Sequence, residues 1–194
     1  MEKTSWENYY KLTKNNPPSE LLSRAIKFVI KKDKALDLGA GALRDTKFLL
    51  ASGFSSVDVV DQESSIAEAI NELESSNVTF TQSSYENFSF PKRKYDIVNA
   101  QYALPFNRPN SFNKVFLNLE KSLKVGGVFT GQFFGINDEW SRERPQMTFH
   151  TSNEVKNLLS GFKVLEFEEV DKDSKLASGV PKHWHIFHVI AKRL

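Results

Sequence analysis

A chain of 194 residues with 26 Lys and Arg against 24 Asp and Glu carries a net charge of only +2, which suits one domain with one core and argues against a polyanion-binding surface. Hydrophobic residues make up 40% and charged residues 26%, an ordinary globular balance, and no apolar run approaches the roughly 18 residues of a membrane span. The absence of cysteine excludes disulfides, thiolate zinc sites and a cysteine nucleophile.

In chain order, Thr4-x-x-Glu7 has capping-box spacing and opens a helix with Trp6, Tyr9 and Tyr10 on one face, until Asn15-Asn16-Pro17-Pro18 breaks it. Residues 1–18 thus form an aromatic helix, a candidate lid. Ser19 is placed to cap a second helix with Leu22, Ile26, Val29 and Ile30 as its apolar stripe. Ala35 to Leu38 is a short strand running into a glycine turn, and the helix after it stops at Gly53. SSVDVVDQ predicts a strand ending at Asp61, and Ser65-x-x-Glu68 a capped helix through Glu74. VTFTQ and YDIVNAQ, residues 95–101, are the next strands. Phe112, Val115, Phe116, Leu119 and Leu123 then recur at helical spacing. A Gly126-Gly127 turn leads into VFTGQFF, Thr151-x-x-Glu154 caps a further helix ended by Gly161, and KVLEFEEV and HWHIFHVIA close the chain as a strand pair.

Alternating strands and helices imply right-handed βαβ units and a mostly parallel sheet. The expected fold is therefore α/β, a Rossmann-like three-layer sandwich over residues 1–194, with a seven-stranded sheet and an antiparallel terminal pair. Nothing repeats at a fixed period. The basic clusters Lys31-Lys32, Lys92-Arg93-Lys94 and Lys192-Arg193 are short and scattered, so no nucleic-acid partner is expected. The first residues lack the apolar core of a signal peptide, which predicts a cytoplasmic location.

Open α/β sheets bind ligands at the carboxyl ends of their strands. Gly39-Ala40-Gly41 follows the first strand and precedes a helix, so backbone N–H groups can approach a ligand there. Asp61 ends the second strand 20 residues beyond Gly41, the spacing of an acid that accepts two ribose hydroxyl hydrogen bonds. Together these residues describe an adenosine site. The structural alternatives are a tight turn that needs glycine for steric reasons and a solvated or capping carboxylate.

ALDLGAGALRDTKFL resembles motif I of class I S-adenosylmethionine-dependent methyltransferases, VDVVDQ their second motif and YDIVNAQYAL their fourth. Within that class the chain is most similar, over nearly its whole length, to tellurite-resistance and related small-molecule methyltransferases. The resemblance implies S-adenosylmethionine as cofactor, with Asp37, Gly39, Ala40 and Gly41 on its methionine half and Asp61 on its ribose. Gln62 would lie beside the adenine, and Ser84 and Tyr85 stand where the family carries an acid for the adenine amino group. Asn99, Ala100 and Gln101 would flank the reactive methyl, and Arg44 would pair with the methionine carboxylate, although Leu43 replaces the glycine that usually precedes it.

Methyl transfer from a sulfonium asks mainly for positioning and a dry pocket. Trp6, Tyr10, Gln101, Tyr102 and Phe134 are the candidates to line it; adjacent Phe133 and Phe134 must face opposite sides of their strand. The acceptor is expected to be a small molecule. His150, ahead of the last helix, is the candidate base. His183 and His185 share one strand face and His188 the other, so three ligands to one metal are not expected. An NAD-dependent oxidoreductase is the first rival, opposed by Arg44 at the third glycine position of that fingerprint. A nucleic-acid amino-methyltransferase is suggested only by Asn16-Pro17-Pro18, which lacks a following aromatic. A non-catalytic cofactor-binding domain on the same fold is the third.

Overall fold

The computed structural model describes residues 3–73 and 75–194, with side chains from Asn8 onward. The Trp6 side chain, the Thr4–Glu7 capping pair and the expected helix end at Glu74 lie outside the described residues. Helices α1 (Lys3–Thr13) and α2 (Glu20–Ala25) precede β1 (Lys34–Leu38). Then follow α3 (Arg44–Ala51), β2 (Ser56–Asp61), α4 (Ile66–Asn71), β3 (Val78–Gln82), β4 (Tyr95–Ala100), α5 (Pro109–Ser122) and β5 (Leu123–Gly135). The chain ends with α6 (Trp140–Glu143), β6 (Phe149–His150), α7 (Ser152–Leu158), β7 (Phe162–Lys175) and β8 (Pro181–Arg193).

β1, β2 and β4 are buried along almost their whole length because both faces of the sheet are covered. One face packs Leu36, Leu38 and Val98 against Phe112, Phe116 and Leu119 of α5 and Val155 of α7. The other packs Ala35, Val57, Val59 and Ile97 against Leu21 and Leu22 of α2, Leu49 of α3 and Ile66 of α4. The result is the expected three-layer sandwich. Its strand order is β3-β2-β1-β4-β5-β8-β7, with β8 antiparallel to both β5 and β7. The two-residue β6 adds an eighth strand beside β5, where seven were expected. After β1 the chain moves outward to β2 and β3, then returns to place β4 on the other side of β1, so the order reverses between β1 and β4.

Three local expectations need correction. Ser65 makes no capping bond, because its helical dihedrals turn the hydroxyl away from the α4 amides. Ser19 does not cap α2 either: its hydroxyl donates to Gln101 Oε1, while its own N–H donates to the Asp45 carboxylate. The stripe ending in Ile30 breaks, since α2 stops at Ala25, a 3-10 turn follows, and Ile30 is 88% exposed. Thr151 and Glu154 do form the reciprocal capping box of α7.

The terminal hairpin is longer than the apolar pattern suggests. β8 pairs with β5 only from Val128–Lys192 to Phe134–Ile186. Beyond Ile186 it pairs with β7 alone, out to Lys175–Pro181, and so rises past the carboxyl edge of the sheet as a wall. Among the described residues no helix is long and apolar enough to cross a membrane.

Candidate functional site

A cleft of about 1070 Å³ opens over the carboxyl ends of β1 and β4, where the strand order reverses. Gly39 and Gly41 form one end of it, with φ of +72° and +51°. Glycine is required at Gly39 on two grounds, since a Cβ there would also lie 2.5 Å from Tyr85 Oη and 2.7 Å from Ala103 Cβ. At Gly41 a Cβ would meet the Tyr10 ring of α1 at 3.1 Å. The first helix therefore lies over the glycine loop. Leu43, in the position of the missing glycine, adopts the same left-handed conformation with φ +58°, held by a side chain only 1% exposed in the core.

Asp61 faces the same end of the cleft at 5% exposure. Its Oδ2 accepts the Gly41 N–H at 3.2 Å and its Oδ1 the Glu63 N–H at 3.0 Å. Burial pushes its pKa above the ordinary carboxylate value, and the backbone donors pull the other way. The carboxylate thus fixes the loop geometry while facing the ligand space. Gln62, Ser84, Tyr85 and Arg44 line this end too.

Beneath the loop is a closed polar layer. The β1–β4 register sets Asp37 beside Asn99, whose amide donates to Asp37 Oδ1 at 2.8 Å, while Thr46 Oγ1 donates to Oδ2 at 2.5 Å. Burial, then the neighbouring Asp45 carboxylate, raises the Asp37 pKa against those two hydrogen bonds. Asp37, Ala40, Asn99 and Ala100 lie behind the cleft wall and support its lining residues. The layer continues outward: Asn99 Oδ1 accepts from Gln101, Gln101 Oε1 accepts from Ser19 Oγ and Gln132 Nε2, and Gln132 Oε1 accepts the Tyr102 N–H at 2.7 Å.

The other end of the cleft is aromatic. Gln101, Tyr102 and Phe134 reach it, joined by Trp140, Arg144, Trp184 and His188, to which sequence reading assigned no part. Trp184 and His188 project from the same face of the tall β8 wall. Phe133 turns away into the core against Phe112 and Phe116. His150 is not brought to the cleft. Its ring packs 4.5 Å from Phe112 and 5.8 Å from Phe133, at 7% exposure, and burial lowers its pKa to about 4. Asp45 and Thr46 also escaped sequence reading, because a polar pair at the start of a helix reads as solvated.

A family model described as tellurite resistance protein TehB matches residues 2–175. No curated protein sequence matches the chain. Among solved structures, TehB from Haemophilus influenzae superposes with a TM-score of 0.77 at 19% identity, over 96% of this chain and 66% of that one. The chain thus spans slightly less than two thirds of that relative. The N-methyltransferase NodS from Bradyrhizobium japonicum WM9, in complex with S-adenosyl-L-homocysteine, gives 0.71 at 14% identity, over 98% and 97%. A Burkholderia thailandensis 1,6-didemethyltoxoflavin-N1-methyltransferase, with bound 1,6-didemethyltoxoflavin and S-adenosylhomocysteine, gives 0.67 at 18%, over 98% and 86%. At these identities the structures establish a shared fold.

Proposed function

The chain belongs to the tellurite resistance protein TehB family, and from that membership and the cleft geometry we propose that it is an S-adenosylmethionine-dependent methyltransferase acting on a small-molecule acceptor. One observation carries the reading: a left-handed glycine loop whose Gly39 has no room for a Cβ and a buried strand-end carboxylate share one end of a cleft whose other end is aromatic.

The residues fit such a cofactor. Gly39 and Gly41 would receive its methionine half, Arg44 its carboxylate, Asp61 its ribose hydroxyls, and Gln62, Ser84 and Tyr85 its adenine. When bound, the cofactor supplies an electrophilic methyl group on a sulfonium that departs as a neutral thioether. The chain's own work is positioning and exclusion of water. Asp37, Thr46 and Asn99 hold the loop from below, Tyr10 covers Gly41 from above, and the aromatic end keeps the acceptor dry. Bridging these ends, Gln101 and Gln132 tie the acceptor wall to the layer under the loop.

The test removes the ribose contact. Hydrogen bonds to a charged group contribute about 1.5–3 kcal/mol each, so Asp61→Ala should weaken S-adenosylhomocysteine binding tenfold or more in titration calorimetry. Asp61→Asn is no mild control: both carboxylate oxygens accept backbone N–H groups, so its amide nitrogen would face a donor. Two folded variants that bind like the parent would refute the assignment.

A further inference from the structure

We propose that the aromatic end of the cleft is built for a planar aromatic acceptor that carries one acidic group. The inference rests on the methyltransferase reading and adds the chemical class of the molecule that would sit beside the cofactor.

Four rings enclose this end. Tyr102 stands 6.3 Å from both Phe134 and Trp184, Trp184 stands 5.7 Å from Phe134, and Trp140 stands 5.6 Å from Trp184. Most of these pairs are edge-to-face or steeply tilted; Phe134 and Trp140 are buried behind, while the half-buried Tyr102 and Trp184 offer ring surface to the cleft, where a flat apolar molecule finds stacking partners. Tyr102 itself adopts φ +53°, a conformation unfavourable for a bulky residue, with its N–H held by Gln132. The local strain keeps its ring on the cleft.

Such a cluster also resembles a cage for a cation, but its two tryptophans each already carry a cation on one face. The Lys182 ammonium lies 3.8 Å from the Trp184 ring centre and 4.6 Å from that of Trp140. The Arg144 guanidinium stacks 3.9 Å from the Trp140 centre. A ligand cation would therefore meet rings already polarised by positive charge, and two cations besides. The two bound cations differ in what they leave open. Lys182 is sealed in the wall at 2% exposure, its charge matched by Asp138 at 2.5 Å. Arg144 is half-buried on the cleft and has no carboxylate partner among the described residues, whereas Arg24, also on the cleft, is engaged by Glu166, Glu20 and Glu168. A planar guanidinium with free donors, stacked on an aromatic floor, suits a carboxylate or other acidic substituent in the plane of a bound ring.

The experiment uses the full chain saturated with S-adenosylhomocysteine and titrates four probes by calorimetry: naphthoate, naphthylmethylammonium, naphthalenemethanol and cyclohexanecarboxylate. Naphthoate should bind about tenfold or more tightly than either the ammonium or the alicyclic acid. Arg144→Gln should remove the preference for naphthoate over the ammonium while leaving naphthalenemethanol and S-adenosylhomocysteine affinities unchanged, a pattern that general destabilisation would not give. Trp184→Leu should weaken all the aromatic probes together. Equal binding of acid and ammonium, no binding of any probe, or an undiminished preference over the ammonium in Arg144→Gln overturns the proposal; so does naphthoate that competes with S-adenosylhomocysteine. Failure of the parent to bind S-adenosylhomocysteine at all would instead defeat the methyltransferase reading.

Discussion

At neutral pH the His150 ring is uncharged, because burial against Phe112 and Phe133 lowers its pKa from 6.5 to about 4. The unfolded chain, with an ordinary histidine value, takes up a proton first, so the stability present at pH 7 is lost as pH falls from 6.5 through 4. At 1.36 kcal/mol per pKa unit the loss is roughly 2 kcal/mol by pH 5 and roughly 3 by pH 4. Nδ1 also has no hydrogen-bond partner among the described residues, which itself costs on the order of 1 kcal/mol. His150→Leu should therefore be about 1 kcal/mol more stable than the parent at pH 7 and about 3 at pH 5, read from urea midpoints at constant slope. The difference between the two proteins isolates this group from carboxylates such as Asp58, whose lowered pKa also makes stability fall in acid. Methyl transfer should survive the substitution. Parallel pH curves for the two proteins would refute the burial argument, and a variant of parental stability without activity would make His150 a catalytic base.

Leu43→Gly removes left-handed strain of about 1–2 kcal/mol but also a buried leucine. Loss of the leucine costs about 3–5 kcal/mol. Net destabilisation of about 1–4 kcal/mol is expected in denaturant melts, and a gain in stability would show that strain dominates. Lys182→Met strands the buried Asp138 carboxylate and should cost about 3–5 kcal/mol. Adding Asp138→Asn should recover part of that, and a double variant no better than the single would mean that the pair is not coupled. Tyr10→Ala should weaken S-adenosylhomocysteine binding severalfold while moving the melting temperature little, since its ring packs on Gly41 at the cleft edge. Unchanged affinity would make α1 a docking element only.

The sheet was legible because buried parallel strands such as ALDL, VDVV and DIVNA are short apolar runs bounded by turns, and little else in a soluble chain looks like that. The glycine loop and Asp61 were legible because they are local: a strand, a turn and a second strand end within about twenty residues. The acceptor end was not. Its wall comes from the overshoot of β7 and β8, where VDKDSK is polar on both faces and gives no alternation to read. Trp140 and Arg144 sit in DEWSRER, which has the composition of a solvated loop, and the rings of Trp184 and Trp140 meet only through tertiary folding. Ser19 misled for a related reason, since an N-terminal serine signals a cap unless a distant amide, here Gln101, takes its hydroxyl.

Backbone strain was equally invisible, and its placement bears on function. Three described non-glycine residues have positive φ: Leu43, Arg93 and Tyr102. Arg93 lies in a connecting turn, but Leu43 follows β1 and Tyr102 follows β4, the two strand ends that flank the reversal in strand order. Each such conformation costs on the order of 1–3 kcal/mol and persists only where its surroundings over-determine it. Leu43 is over-determined by a buried side chain, Tyr102 by the Gln132 bond and its three ring neighbours. Relaxing either would re-aim a backbone that contributes to the cleft: the entry to α3 beneath the glycine loop in one case, the acceptor wall in the other. Glycine would relieve the strain at either site, but it would also remove a buried core leucine at one and a ring that lines the cleft at the other. Strain at both strand ends is thus held by the side chains that shape the cleft, Leu43 from the core beneath it and Tyr102 from its wall.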